Sequence, residues 1–557
     1  MSPEKLSCAT VICCQTDWKI KIGRDVMQRF WKLPLGGLAL AAGLSFGAPI
    51  WADDTLDRGI GSEWSSLDPQ VNFDAAAGWI QGDVYEGLVT AAADSSVIPG
   101  QAESWDVSAD GMTYTFHLRD GLKWSNGDPL VAQDFVNSAL RTLNPETASE
   151  KGYYFTSVIQ VKGAKELSDG TAKDASGFGI TAPDEKTVVI EMLTPSPNIL
   201  DIMGSFAIAP LHGPSFAANG AAGFIDPAKV VSNGAYVIKE VVPQSHVLLE
   251  ANPNYWDAAN VKIKKVKYHV TEDVATELKR YQAGEIDITY DIPLNQIESL
   301  KASIPDQVRI APYTEIIYYS FNLTKEAMKN KALRRALSLA IDRDTLEGKI
   351  VKGEAIPTLS YAGGYDPTYK GPQIAEASMT QAERETLAKE LYAKAGYGPG
   401  NPLKINIVST VSEDSTRRGQ GVALMWKKVL GVDATLEPQE RKAWLDTFYA
   451  GTWDVFADDL VGDFAGAETF LAYMRPSSEP GYNWVSPEFD AAMDVAATKP
   501  DKASRNQELA VAEKILLDDY IFAPLAIVPS RHLVSPKVGG FVDSVTDTHN
   551  SQTMTLE

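Results

Sequence analysis

The sequence predicts an α/β protein of two or three lobes, on three observations. Segments with the two-residue period of a pleated strand alternate with segments of helical spacing, the pattern of α/β lobes with largely parallel sheets. The 557 residues exceed what one hydrophobic core fills, since domains run to roughly 100–200 residues each. No internal repeat or low-complexity linker separates the segments, so strands crossing from lobe to lobe are expected to join them. A hydrophobic share of 44%, with 12 Trp, 21 Tyr and 18 Phe, supplies the cores that a disordered chain lacks.

The first 52 residues read as an export signal with an extra segment in front of it. From Met27, MQRFWK is a short basic stretch, LPLGGLALAAGLSFG an apolar one, and APIWA a small-residue cleavage site after Ala52. The apolar run is short for a membrane span, and no later stretch of about 18 uncharged apolar residues follows it. The mature chain is therefore expected to begin at Asp53 and to reside in the periplasm of a cell with an outer membrane. Residues 1–26 carry no targeting logic and read as the product of a misplaced start codon. Cys8, Cys13 and Cys14 all lie in this part, which leaves the mature chain without a disulfide, a thiolate metal site, a cysteine nucleophile or a cysteine for a lipid anchor. Removing residues 1–52 leaves 45 basic against 70 acidic residues, a net charge of −25. That surface argues against nucleic acid or an anionic membrane as partner.

The mature elements follow in order. Residues 56–69 read as a strand and a turn at Asp68-Pro69, then a helix over about Ala75 to Leu88. Over 102–143, Tyr114, Phe116 and Leu118 alternate, Asp110-Gly111 and Asn126-Gly127 mark turns, and helical spacing sets in at Ala132, which predicts hairpin, turn and helix. Val274–Ala283 is helical up to Gly284, after which Glu285–Ile292 alternates as a strand. Lys325–Ile341 reads as one long helix with Leu333, Leu337 and Ala340 on a face. Thr380 and Glu383 form a capping box for a helix that ends at Gly396, and a strand follows over 403–408. A helix Thr416–Leu430 stops at Gly431, a strand covers 432–438, and a helix Arg441–Ala450 is closed by Gly451.

Gly451–Leu471 then reads as a strand ending in an acidic, glycine-punctuated loop. Trp453, Val455 and Ala457 alternate with Asp454, Phe456 and Asp458 before Gly462 and Gly466 break the pattern. Asp463 sits between Val461 and Phe464. It is either a solvated loop aspartate or a partly desolvated carboxylate that needs a cationic partner, such as a ligand ammonium.

The block Ala102–Phe135 resembles the signature of the family-5 extracellular solute-binding proteins, the binding components of ABC importers for peptides and nickel. The resemblance continues through Ser232-Asn233-Gly234-Ala235-Tyr236, Asn252-Pro253-Asn254-Tyr255-Trp256-Asp257, 280–287 (RYQAGEID) and 426–432 (WKKVLGV), and it points to the oligopeptide binders. It implies a periplasmic-binding-protein-like clamshell of two lobes with an additional inserted domain, three lobes in all. One lobe would take 53–86, 217–312 and 531–557, the inserted lobe 87–216, and the last 313–530. A ligand would lie extended between lobes, its backbone paired with Phe73-Asp74-Ala75 on one side and Asp459-Leu460-Val461 on the other, and Asp463 would hold its α-ammonium. Asn233, inside one of the matching motifs, joins the ligand-binding candidates on the same ground. The positions that would carry basic residues for a ligand carboxylate read Ala457 and Phe448. Arg417, Arg418 and Arg441 are either replacements for them or solvated helix arginines. Tyr153 and Tyr154 either stack along a ligand or pack in a core.

An enzyme needs a nucleophile or a metal. Gly43-Leu44-Ser45-Phe46-Gly47 matches a hydrolase pattern but lies in the apolar signal stretch, without strand–turn–helix context. The six histidines show no metal-ligand spacing, acidic pairs such as Asp458-Asp459 are common in so acidic a chain, and no phosphate loop is present. Neither a cofactor nor a metal is expected. The reading is a monomeric, non-enzymatic peptide importer component whose partners are a short peptide and an inner-membrane ABC permease. The alternatives are a narrow binder of dipeptides, murein peptides or a metal complex, a secreted peptidase, and a periplasmic sensor or chaperone.

Overall fold

The computed structural model describes residues 54–71, 75–94, 96–204, 209–224, 226–364, 366, 368–475 and 483–557. The expected cleavage site and the pairing positions Phe73 and Asp74 lie outside them.

Three sheets organise the chain, each with its own hydrophobic core. The first orders Thr55–Gly59, Lys265–His269, His246–Ala251 and Tyr236–Val242 side by side. Leu56, Tyr236, Val247, Leu249, Val266 and Tyr268 alternate onto one face and bury against Ile80 and Val84 of the helix Ala75–Val84. The second orders Ala102–Val107, Thr113–Leu118, Thr187–Glu191 and Ile180–Asp184. The helix Ala132–Leu143 covers it, so the hairpin, turn and helix expected over 102–143 are present. The Asp134 carboxylate fixes that helix start by accepting the Val131 N–H and the Trp124 indole N–H, each at 3.1 Å. The third sheet has six strands: Ile356–Pro357, Phe522–Leu533, Val308–Phe321, Val455–Val461, Lys404–Thr410 and Asp433–Gln439.

The sheets are not largely parallel, contrary to the expectation from alternating elements. Among the described strands, Thr55–Gly59 runs parallel to Lys265–His269, and Lys404–Thr410 runs parallel to both its neighbours; every other named pairing is antiparallel. A parallel pair needs a crossover, and the helices Glu413–Leu430 and Arg441–Ala450 supply crossovers only around Lys404–Thr410. Elsewhere hairpins and long excursions return the chain antiparallel, except that the excursion from Thr55–Gly59 to Lys265–His269 returns it parallel.

The crossing segments explain a second correction. Glu285–Ile292 forms no strand. Its alternation comes from running between two sheets: the Gly59 N–H donates to the Ile288 carbonyl at 2.8 Å, while the Thr289 N–H donates to Leu533 at 3.0 Å. The bonds are divided between the two neighbours and only isolated bridges form. Helix boundaries shift where side-chain caps compete with periodicity. The long helix expected from Lys325 is a short turn followed by Lys331–Leu339, started by Asn330, whose side chain accepts the Ala332 and Leu333 N–H groups. Ser412 likewise starts the next long helix at Glu413, before Thr416, and the first helix ends at Val84, before Leu88. The strand expected from Trp453 begins at Val455.

A cavity where the three sheets meet

The strand Val455–Val461 positions the candidate site. It pairs along its length with Glu315–Phe321 on one side, but on the other Lys404–Thr410 reaches only Val455 and Phe456. Just beyond it, the Gly462 N–H donates to the Thr314 carbonyl at 2.6 Å and Thr314 Oγ1 donates to the Gly462 carbonyl at 3.0 Å. Backbone groups alternate sides in an antiparallel pair, so the N–H and C=O groups of Asp459 and Val461 turn to the other edge. Asp458 Oδ1 accepts the Asp459 N–H at 3.0 Å. Gly462 is needed for close approach, because a Cβ there would meet Thr469 at 2.7 Å and the Phe470 ring at 2.8 Å.

Asp463 follows that glycine. Its Oδ1 accepts the Tyr154 hydroxyl at 2.7 Å, and its Oδ2 accepts the hydroxyl of Tyr153 and, at 3.4 Å, that of Thr469. Burial pushes the carboxyl above the usual carboxylate range, and these hydrogen bonds pull it part of the way back. No described residue pairs with it as a cation. The tyrosines therefore do something the sequence reading missed: they neither stack along an open groove nor merely fill a core, but aim both hydroxyls at a carboxylate from another lobe. A single π turn over Tyr154–Val158 presents them, with their rings 4.4 Å apart.

Beside Asp463 lies a cavity of about 330 Å³. Ala75, Trp79, Tyr290 and Thr546–Thr548 line it from the segments of the first sheet, Tyr154 and Asp201 from those of the second, and Tyr313, Val461–Ala465 and Tyr473 from those of the third. Except for Tyr154, Val461, Asp463 and Ala75, sequence reasoning had not singled these residues out, because they come from distant segments without a shared motif.

One of the missed residues is Asp547. Its Oδ1 takes hydrogen bonds from His532 Nε2 at 2.8 Å and His549 Nε2 at 3.1 Å. His532 Nδ1 lies 2.8 Å from the Thr289 carbonyl, which can only accept, so both ring nitrogens carry protons. Burial works against that charge, but the Asp547 carboxylate and the Thr289 carbonyl outweigh it and raise the His532 pKa; in turn the imidazolium holds Asp547 below the usual range. His532, Asp547 and His549 are the one group of ligand type among the described residues that converges closely enough to hold a metal. As an imidazolium, a carboxylate and a neutral imidazole they balance their charge without one.

The remaining sequence candidates separate. Ala75 lines the cavity and opens the helix expected from it. Asn233 does not face the cavity. Its side chain is buried and clasps the Glu86 backbone, donating to the carbonyl at 2.7 Å and accepting the N–H at 3.2 Å. Arg417 also lies elsewhere, bonded to Glu413 and to the Val351 carbonyl at 3.3 Å. Arg418 is buried against Glu347, with both bonds at 2.8–3.0 Å. Asp459, Arg441 and this Arg418 line a second pocket of about 200 Å³ with Glu315, Asp414 and Ala457, farther along the open edge, where Arg441 sits 3.6 Å from Asp459. Burial and the charges of Asp459 and Asp414 push Glu315 up to about 8. Leu460 packs against the core of the third sheet, and Phe448 is buried among Trp444, Trp453 and Phe456.

Residues 96–482 match the family model of the bacterial extracellular solute-binding proteins, family 5. The chain is 33% identical over 511 residues to the periplasmic oligopeptide-binding protein OppA of Escherichia coli K12, covering 91% of this chain and 93% of that one. Among solved structures, the murein tripeptide binding protein MppA of Escherichia coli matches with a TM-score of 0.82 and 32% identity, over 90% of this chain and 98% of that one. Haemophilus influenzae OppA in complex with the peptide RPPGFSPFR matches with a TM-score of 0.80 and 30% identity, over 90% and 99%.

Proposed function

The chain belongs to the bacterial extracellular solute-binding proteins of family 5, and on that footing we propose that it is the exported binding component of an ABC importer for short peptides. The observation that carries the reading is Asp463, a half-buried carboxylate with hydroxyl donors but no cationic partner among the described residues, at the end of an open strand edge and beside a cavity. A peptide lies extended on that edge and pairs with the backbone of Asp459 and Val461. Its α-ammonium reaches Asp463, where burial strengthens the attraction. Main-chain pairing does not read side chains, so it gives affinity with broad tolerance. Arg441, exposed and only loosely paired with Asp459, lines the pocket farther along the edge and takes the peptide carboxylate, while Arg418 in the same pocket is spent on Glu347.

The lobes of this reading are 53–86 with 217–312 and 531–557, the inserted 87–216, and 313–530. Ligand shifts an open form toward a closed one, which docks on the permease; no covalent step is involved. Export removes residues 1–52 and leaves the protein in the periplasm as a monomer. A narrower ligand range is the second reading, favoured by Ala457 and Phe448, which put no charge on the strand or behind it.

Calorimetric titration of the mature protein with Ala-Ala-Ala and with N-acetyl-Ala-Ala-Ala tests the anchor. Acetylation and Asp463→Asn should each weaken binding by a hundredfold or more. Equal affinity for both peptides would sink the role of Asp463. One defined molecule co-purifying with the protein, seen by native mass spectrometry, would favour the narrow reading.

A further inference from the structure

We propose that the cavity beside Asp463 is built for a cationic side chain, so that the preferred ligand begins with a long basic residue of the lysine or arginine type. The inference rests on the peptide reading above and adds to it the identity of the first side chain.

Charge and wall chemistry agree. Asp201, Asp463 and Asp547 line the cavity, and no lysine, arginine or histidine does so among the described residues. Aromatic rings share the rest of the wall with small and aliphatic residues: Trp79 and Tyr290 lie 5.4 Å apart, with Tyr154, Tyr313 and Tyr473 also on the lining. Carboxylates set among aromatic faces attract an ammonium or guanidinium by charge and by the ring quadrupole together. An apolar side chain would leave these carboxylates facing hydrocarbon, and an acidic one would be repelled.

One residue holds both acidic loops. The Gly462 N–H donates to the Thr314 carbonyl at 2.6 Å, and the Thr314 N–H donates to the Val545 carbonyl at 2.8 Å. The loop carrying Asp463 and the loop carrying Asp547 are thus tied to the backbone of Thr314, and both line the one cavity. A basic residue with its α-ammonium at Asp463 turns its side-chain cation toward Asp547. The strand itself is irregular here: its register with Phe522–Leu533 shifts between Pro312 and Glu315, and Tyr313, inside that shift, lines the cavity.

Nearby cations do not satisfy the cavity. His532 and His549 both engage Oδ1 of Asp547, and among the described residues none donates to Oδ2. Arg531 is held by Asp291 at 2.8 and 3.0 Å, and one nitrogen of Arg58 by Tyr268, Ser551 and the His549 carbonyl. Lys502 lies close enough to act on Asp201, but it is paired with Asp366 at 3.3 Å. Even with His532 set against Asp547, Asp201 and Asp463 keep the lining negative; burial raises the pKa of both, which an incoming cation would reverse.

The test is calorimetry on the mature protein with Lys-Ala-Ala, norleucine-Ala-Ala and Glu-Ala-Ala at one ionic strength. Norleucine keeps the lysine stem and drops its charge, so the first pair isolates the cation. We expect the lysine peptide to bind at least tenfold more tightly than the norleucine peptide, with the glutamate peptide weakest. Asp201→Asn and Asp547→Asn should each reduce the lysine preference, read as the ratio of the lysine to the norleucine affinity, several-fold. If Asp547→Asn fails to fold because the histidines lose their partner, Asp201→Asn still decides. Equal or tighter binding of the norleucine peptide overturns this inference and leaves the peptide reading standing. If none of the three binds, the peptide reading falls and this one with it.

Discussion

At the scale of single residues, the chemistry rests on Asp463 being held without being neutralised. Two tyrosine hydroxyls and a threonine stabilise its charge, and burial opposes it. The sign follows. A carboxyl raised above its unfolded value adds stability below that value and loses it as pH rises through the folded one, so the free protein is disfavoured by ionised Asp463 and a bound ammonium reverses the effect. Peptide affinity should therefore fall as pH drops from neutral toward the Asp463 pKa. Tyr154→Phe removes a donor from the ionised form, which should weaken binding about 5- to 10-fold at pH 7, in line with a charged hydrogen bond of about 1.5–3 kcal/mol partly replaced by the remaining donors. It should also move the acid limb of a Kd-against-pH profile upward. An unchanged profile would mean that the hydroxyls do not act on the carboxylate. The sequence flagged Asp463 through its apolar neighbours, but nothing local to Tyr153 and Tyr154, some 300 positions earlier, says that their hydroxyls meet it.

At the scale of elements, the proposed binding falls to an open strand edge, and a clasp holds the crossing chains. The edge prediction concerns Val461, whose N–H turns away from the paired strand. Val461→Pro removes that donor without touching the ladder to Glu315–Phe321, so it should cost peptide affinity roughly 3- to 10-fold, the net worth of about one backbone hydrogen bond, with little change in melting temperature. A large loss of stability would show that the group is spent inside the protein. Asn233 makes the opposite case. Its amide satisfies both backbone groups of Glu86 in a buried junction where Gln101, Tyr255 and Trp256 close on the Glu86 carboxyl. Asn233→Ala should destabilise by about 1–3 kcal/mol, read by denaturant unfolding, and leave Kd within twofold. Burial lifts Glu86 to about 7, so its contribution is complete below about 4.5 and is lost as pH rises through 7. Periodicity made the Val455–Val461 strand and most helices legible. It misplaced Glu285–Ile292, because two-residue alternation also arises where a chain passes between two neighbours. It overestimated parallel pairing, because a helix between two strands need not return the chain to the same sheet.

At the scale of the whole molecule, the site exists only when lobes meet. Phe464, one residue past the anchor, belongs by sequence to the third sheet's segment but is buried in the core of the second with Trp124, Phe135 and Phe155. Asn198 Nδ2 donates to Glu468 at 2.8 Å, and Arg505 donates to the Pro195 carbonyl at 3.0 Å, across the same boundary. In the opening and closing proposed above, these contacts, like those of Tyr153 and Tyr154 with Asp463, would break as the lobes part, and so would bias the equilibrium toward closure. A ligand that also spans the boundary gains from that bias, since its apparent affinity scales with the population able to close around it. Phe464→Ala removes a buried ring from the closed form, where such truncations cost about 3–5 kcal/mol, while the open form loses far less. Affinity for a tight peptide should then fall at least tenfold, although no atom of Phe464 need touch it beyond the lip of the cavity. Small-angle scattering should show the variant staying expanded at peptide concentrations that compact the parent. If Phe464→Ala binds and compacts like the parent, closure draws its stability from the ligand alone, and the contacts between lobes only follow it.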